Sequence, residues 1–242
     1  MQYVFKRYEK KYILNEEQYK AFMECTRDYI IPDKYGLHTI CNIYYDTEDF
    51  LLIRRSIEKP VYKEKFRIRS YGIPDKDHTV FLELKKKYKD VVYKRRLAMP
   101  LWQAEDFLER NVRPEHEGQV MKEIDYFLDF YKPVKKMYIA YDRRAYYVEG
   151  EEGLRITIDR NIRSREDDLF MEYGDKGRKL LPDDVYLMEI KTVKAFPLWL
   201  VDILSKHKIY KTSFSKYGMI YTRMIKEKLD AREHRDEKEH LL

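Results

Sequence analysis

Lys65, Arg67 and Arg69 sit two residues apart and alternate with Phe66 and Ile68. Side chains of an extended strand point to opposite faces with period two. The three cations therefore share one face, and the apolar pair takes the other. The signature recurs along the chain. Arg7, Glu9 and Lys11 fall on one face, as do Glu83 and Lys85 opposite Val80, Leu82 and Leu84. Lys94 with Arg96 and Tyr141 with Arg143 repeat it. So do Arg155, Thr157 and Asp159 opposite Leu154, Ile156 and Ile158, and Glu189 with Lys191 opposite Met188 and Ile190. An ordinary solvated face would mix in Ser, Gln, Asn and Thr and would balance its signs. Rows of guanidinium and ammonium groups instead suit phosphates, which they bind through charge-assisted hydrogen bonds. Roughly ten cations turned toward one another would repel strongly unless a polyanion compensated them.

The interspersed acids allow two readings. Glu9, Glu83, Asp159 and Glu189 can pair with neighbouring lysines, or they can hold a divalent ion. Mg²⁺ and Mn²⁺ take oxygen ligands, usually one or two carboxylates with phosphate oxygens and water. Glu189 is the leading candidate, because a carboxylate among Leu187, Met188 and Ile190 needs a reason; Glu83 and Glu9 follow. Nothing resembles GxGxxG or GxxxxGK[ST], so phosphate would be held by side chains and not by a glycine loop. Cys25 and Cys41 form no CxxC or Cys/His metal spacing and read as buried thiols in a reducing compartment. The net charge of +6, from 49 basic and 43 acidic residues, is modest, so the placement of the cations matters more than their excess. Neither a signal peptide nor a membrane helix is expected, which makes the cytoplasm the default location.

These side chains need eight strands to position them. The alternation places strands over 3–14, 38–47, 61–70, 79–88, 91–99, 135–148, 154–160 and 185–193. Helices are expected over 15–30, 47–59, 100–111, 115–131, 195–207 and 215–229, with Asn15 as an N-cap. Lys89-Asp90 reads as a tight hairpin turn, 166–179 as a mobile charged loop, and 229–242 as a frayed charged tail following one domain over 1–228. The arrangement that fits is an α+β fold: an eight-stranded antiparallel barrel with helices packed outside and the cations lining a lumen.

The ordered motifs resemble the catalytic domain of the VTC polyphosphate polymerases, within the triphosphate tunnel metalloenzyme superfamily. They are Glu9-x-Lys11-Tyr12, Tyr44-Tyr45-Asp46-Thr47, Arg67-x-Arg69, Leu82-Glu83-Leu84-Lys85, Lys94-x-Arg96, Tyr141-x-Arg143-x-Ala145-Tyr146, Leu154-Arg155-Ile156-Thr157, Met188-Glu189-Ile190-Lys191-Thr192 and Phe214-Ser215-Lys216-Tyr217. The resemblance implies transfer of the ATP γ-phosphate to inorganic polyphosphate with Mn²⁺ or Mg²⁺. It implies that Arg67, Arg69, Lys85, Lys94, Arg143, Lys191 and Lys216 act on the transferred group. Lys11, Arg96, Arg155 and Ser215 would join them in holding phosphates, and Glu189, Glu83 and Glu9 would serve the metal. Lys216 enters only through this resemblance, at the start of a helix that approaches one tunnel mouth. Hydrolase branches of the superfamily open with Glu-x-Glu-x-Lys, whereas this chain has Arg7-x-Glu9-x-Lys11, which favours the polymerase branch. A tunnel triphosphatase and a non-catalytic phosphate-binding module are the alternatives. Nucleic acid is disfavoured, because it would want exposed cations and aromatics on an outer face.

Overall fold

The computed structural model describes residues 8–89, 91–115 and 118–239, with backbone alone over 234–239. Arg7 and the start of the first expected strand lie outside these residues. Eight long strands form where alternation places them: β1 (Tyr8–Asn15), β3 (His38–Asp46), β4 (Tyr62–Tyr71), β5 (Thr79–Tyr88), β6 (Val91–Pro100), β7 (Val134–Val148), β8 (Arg155–Arg165) and β10 (Val185–Thr192). Three short strands escape the sequence reading: β2 (Ile30–Pro32), β9 (Arg178–Lys179) and β11 (Lys211–Thr212). All pairings are antiparallel, in the order β11-β1-β10-β8-β7-β3-β4-β5-β6, with β2 on β7 and β9 on β8.

The sheet is large and antiparallel, but its hydrogen bonds do not close it into the expected eight-stranded barrel. The edge of β1 that closure would use is occupied by β11, through Lys11–Thr212 and Tyr12–Lys211. At the other end β6 is largely exposed and pairs, among the described residues, with β5 alone. The sheet nevertheless curls. Lys85 on β5 interacts electrostatically with Glu9 and Lys11 on β1, although five strands separate them in the sheet order.

Helices cover the outer face as alternation requires. Phe66, Ile68, Leu82 and Leu84 pack under α3 (Leu101–Arg110) and α4 (Gln119–Tyr131), through Leu101, Ala104, Phe107, Ile124 and Phe127. Ile156, Ile158, Met188 and Ile190 pack under α1 (Glu16–Cys25) and α5 (Leu198–Lys206). Asn15 caps α1 reciprocally with Gln18. Full burial of each such aliphatic side chain contributes about 1.5–3 kcal/mol.

The inner face is not wholly polar. Ile40, Met137, Ile139, Ile162 and Leu187 meet Ile53 of α2 (Leu51–Ile57) and Phe214, Tyr217 and Ile220 at the start of α6 (Lys216–Glu239). This apolar plug fills one part of the lumen. Asp46 ties it together: its carboxylate accepts from the Leu52 and Ile53 amides at 2.8 and 3.0 Å and from the Tyr217 hydroxyl at 3.0 Å. A carboxylate on free amides at a helix start is favourable.

Two expectations need correction. The 166–179 segment is anchored, because Arg165 donates to the carbonyls of Asp168, Phe170, Gly174 and Lys176, and Arg163 binds Asp142 and Asp175. Beyond 229 the backbone of α6 is helical through Glu239. Cys41 is buried, but Cys25 is half-buried, with its Sγ 3.5 Å from His207 Nε2; both thiols are free. Tyr88 pairs with Val91, as a two-residue turn requires, though Asp90 lies outside the described residues.

Candidate functional site

The charged part of the inner face has two centres. The first is Glu83 on β5, which is 2% exposed. Arg67 donates to its Oε2 through Nε and Nη2, at 3.0 and 2.7 Å. Lys94 Nζ lies 2.7 Å and Arg96 Nε 2.8 Å from Oε1, and Arg69 Nε is 3.8 Å from Oε2. Register explains the convergence: Glu83 stands directly between Arg67 on β4 and Arg96 on β6. Burial opposes the charge on Glu83, but Arg67, Arg69 and Lys94 hold its carboxyl far below the usual carboxylate range. Burial pushes the Lys94 ammonium down to about 8, with Glu83 acting against it.

The arginines are themselves positioned. Arg69 donates to Asn42 Oδ1 at 3.0 Å and to the Tyr141 hydroxyl at 3.1 Å. Asn42 Nδ2 donates to the Ile139 carbonyl, which aims its oxygen at Arg69. Arg67 Nη1 donates to the Tyr44 hydroxyl at 2.7 Å.

The second centre joins Asp159 on β8, Glu189 on β10 and Glu9 on β1. Arg143 grips Asp159 in a bidentate pair at 2.6 and 2.7 Å, and Lys216 Nζ reaches Asp159 Oδ2 at 2.5 Å. Glu189 has Lys11 at 3.2 Å, Lys216 at 3.6 Å, Arg143 at 3.7 Å and Lys191 at 3.8 Å. Glu9 faces Lys11 at 3.5 Å and Lys191 at 3.8 Å. Burial would raise the carboxyls of Asp159 and Glu189, yet the surrounding cations hold both below their ordinary values. Tyr141 lies between the centres. Burial would raise its phenol, but Arg69, Arg143 and Lys216 bring it down to about 8.

Among the described residues Lys85 makes no ion pair within 4 Å, although Glu9 of the second centre acts on it at longer range. It projects from β5 into the lumen, within reach of solvent. Burial depresses its ammonium, as do Lys11, Arg67 and Lys191, against Glu9. Ser215 Oγ accepts from the Gly218 amide and from Lys65 Nζ, both at 3.2 Å. Arg155 is the outlier: it occupies the same face of β8 as Asp159, but its exposed guanidinium turns to Asp33 at 3.1 Å.

Most of the residues named from sequence thus come together: Lys11, Arg67, Arg69, Lys94, Arg96, Arg143, Lys191, Lys216, Glu9, Glu83 and Glu189 meet at the two centres. The sequence reading missed the fixing roles of Asn42, Tyr44 and Tyr141. Asp159, which alternation places among the acids that pair with lysines or hold a divalent ion, is not among the site residues named from sequence. The sequence reading also left Lys65 out of the binding set, although the cationic alternation names it.

The sequence matches the family described as the VTC domain over residues 6–225. No curated protein sequence matches the chain. Among solved structures, a protein from Bacillus halodurans described as a candidate adenylate cyclase is similar at 16% identity and a TM-score of 0.54. That alignment covers 87% of this chain and 95% of the other, and shows a shared fold. A protein from Pyrococcus horikoshii OT3 aligns at 17% identity and a TM-score of 0.48, covering 91% of this chain and 98% of its own.

Proposed function

From the premise that this chain belongs to the VTC-domain family, we propose that it is a polyphosphate polymerase, transferring the γ-phosphoryl group of ATP to the end of an inorganic polyphosphate chain. The observation that carries this reading is the cationic surplus at Glu83, where four cations converge on one carboxylate. Once that carboxylate is neutralised, positive charge remains for the oxygens of a phosphate chain.

A terminal oxygen of the acceptor attacks the γ-phosphorus in line. The bond from that phosphorus to the bridging oxygen of the nucleotide breaks, and ADP leaves. The transition state is loose, so catalysis consists of positioning and neutralising charge. Arg67, Arg69, Lys94 and Arg96 hold the phosphates on one side of the lumen. Arg143, Lys191, Lys11 and Lys216 face them from the other. No side chain acts as nucleophile, so no phospho-enzyme forms.

A divalent cation fits Glu189 and Glu9. These two carboxylates disfavour each other's charge, which a cation would relieve. One or two carboxylates completed by phosphate oxygens are a usual set for Mg²⁺ or Mn²⁺. The ion, when bound, neutralises charge on the transferring group. Glu83 is held at hydrogen-bond distance, by Arg67 and Lys94 at 2.7 Å, whereas among the described residues no cation comes nearer than 3.2 Å to Glu189; Glu83 therefore serves as a counter-ion and not as a ligand.

The test is incubation of the purified chain with ATP and Mn²⁺, with products resolved on a polyphosphate gel. A ladder of chains is expected. Free phosphate without chains would replace this reading with a triphosphatase, and binding without turnover would replace it with a binding module.

A further inference from the structure

Every cation of the two centres has a carboxylate partner, whereas Lys65 and Lys85 make no ion pair within 4 Å among the described residues. They stand directly opposite each other in register on β4 and β5. Around Lys65 lie Lys63 and Arg67 on its own strand, Lys85 on β5 and Lys11 on β1, all positive. The hydrogen bond it makes is to Ser215 Oγ, which caps α6 by accepting from the Gly218 amide. Lys65 is half-buried and Lys85 exposed, and Glu9 is the acid that acts on Lys85; gathering like charges around a half-buried ammonium that has no acid in contact is costly. Burial and these neighbours push the Lys65 ammonium down to about 7.

We propose that Lys65, with Lys85 and the Ser215-capped start of α6, forms an anion subsite that takes an end phosphate of a linear oligophosphate, one strand step from Arg67. This rests on the lumen being a phosphate site, and it holds whether or not the chain polymerises. The row of Lys65 lies about 7 Å along the strand from that of Arg67, since two residues advance a strand by that distance. A chain of phosphates can span both rows, whereas a single orthophosphate cannot. The bound anion supplies the missing negative charge and favours the protonated amine, so binding draws a proton from solvent.

The experiment is calorimetric titration of the full chain with tripolyphosphate near neutral pH, in two buffers of different ionisation enthalpy. Unaltered protein takes up a fraction of a proton on binding. Lys65→Met weakens binding about tenfold or more, the loss expected for one charge-assisted hydrogen bond, and abolishes the proton uptake. Lys65→Arg restores most of the affinity and still takes up no proton, because arginine stays charged. Lys65→Met also melts at a higher temperature than the unaltered protein without ligand, since it relieves the repulsion; a merely structural lysine would do the opposite. Equal affinity of Lys65→Met and unaltered protein overturns the subsite, as does proton-neutral binding by the unaltered chain. Failure of unaltered protein to bind tripolyphosphate overturns both the subsite and the phosphate reading of the lumen. Binding without a polymer ladder overturns only the polymerase reading.

Discussion

The two centres of the lumen use the same residue types to opposite ends. Around Glu83, four cations (Arg67, Arg69, Lys94 and Arg96) face one carboxylate. Around Asp159, four cations (Lys11, Arg143, Lys191 and Lys216) face three carboxylates, the others being Glu189 and Glu9. The first centre keeps an excess of positive charge and holds it near water, with the Lys94 side chain 45% exposed. The second is close to neutral, and its heart is dry, with Asp159 at 0% and Lys216 at 8%, while Glu9 and Lys191 at its edge reach water. The difference separates two tasks that one cationic lining would confuse. On the proposed reading, the surplus takes the polyanion, and the balanced network fixes geometry while offering the carboxylate oxygens of Glu189 and Glu9 to a metal.

The contrast can be broken by substitution. Asp159→Asn should have the largest effect, lowering unfolding free energy in urea by about 3–5 kcal/mol, the loss expected when a buried ion pair is broken. A loss under about 1 kcal/mol would mean the second centre is not the structural one. Glu189→Gln should reduce metal-dependent turnover on the order of a hundredfold, given the several kcal/mol a metal supplies, while tripolyphosphate binding in chelator persists. Parallel loss of both would deny Glu189 its separate role. Glu83→Gln should cost about 2 kcal/mol, less than Asp159→Asn because two of its partners reach water. Saturating tripolyphosphate should recover that loss more fully than it does for Asp159→Asn; equal recovery would erase the distinction. The smallest effect is on acid stability. Asp159, Glu83 and Glu189 have carboxyls lower in the folded chain than in the unfolded one. Their contribution is complete above the unfolded range of about 4 and is lost as pH falls through the folded values. Unaltered protein should therefore lose more stability on acidification than Asp159→Asn, as read by urea midpoints across acidic pH.

Much of this was legible in the alternation, because a strand with one apolar and one charged face declares its register residue by residue. Phe66 and Ile68 under the helices, with Arg67 and Arg69 opposite, follow from period two alone. The plug was not legible: β3 is apolar on both faces around Ile40 and Ile43, so alternation cannot say which face meets α6. Arg165 belongs to the charged-loop grammar of sequence, yet its bonds go to main-chain carbonyls, which carry no residue signature. Closure failed for a similar reason. Lys211 and Thr212 pair with β1 over two residues, too few to form a pattern. Lys216 needed the motif, since helical spacing assigns it to no strand face.

Lys216 is the only cation of the two centres carried by a helix. Phe214 before it and Tyr217 and Ile220 after it are seated in the plug. Each residue of an α-helix turns the next by about 100°. The plug therefore works as a keyway that indexes one ammonium toward Asp159. A one-residue deletion between Phe214 and Tyr217 would rotate that key out of its slot with every strand of the sheet left intact.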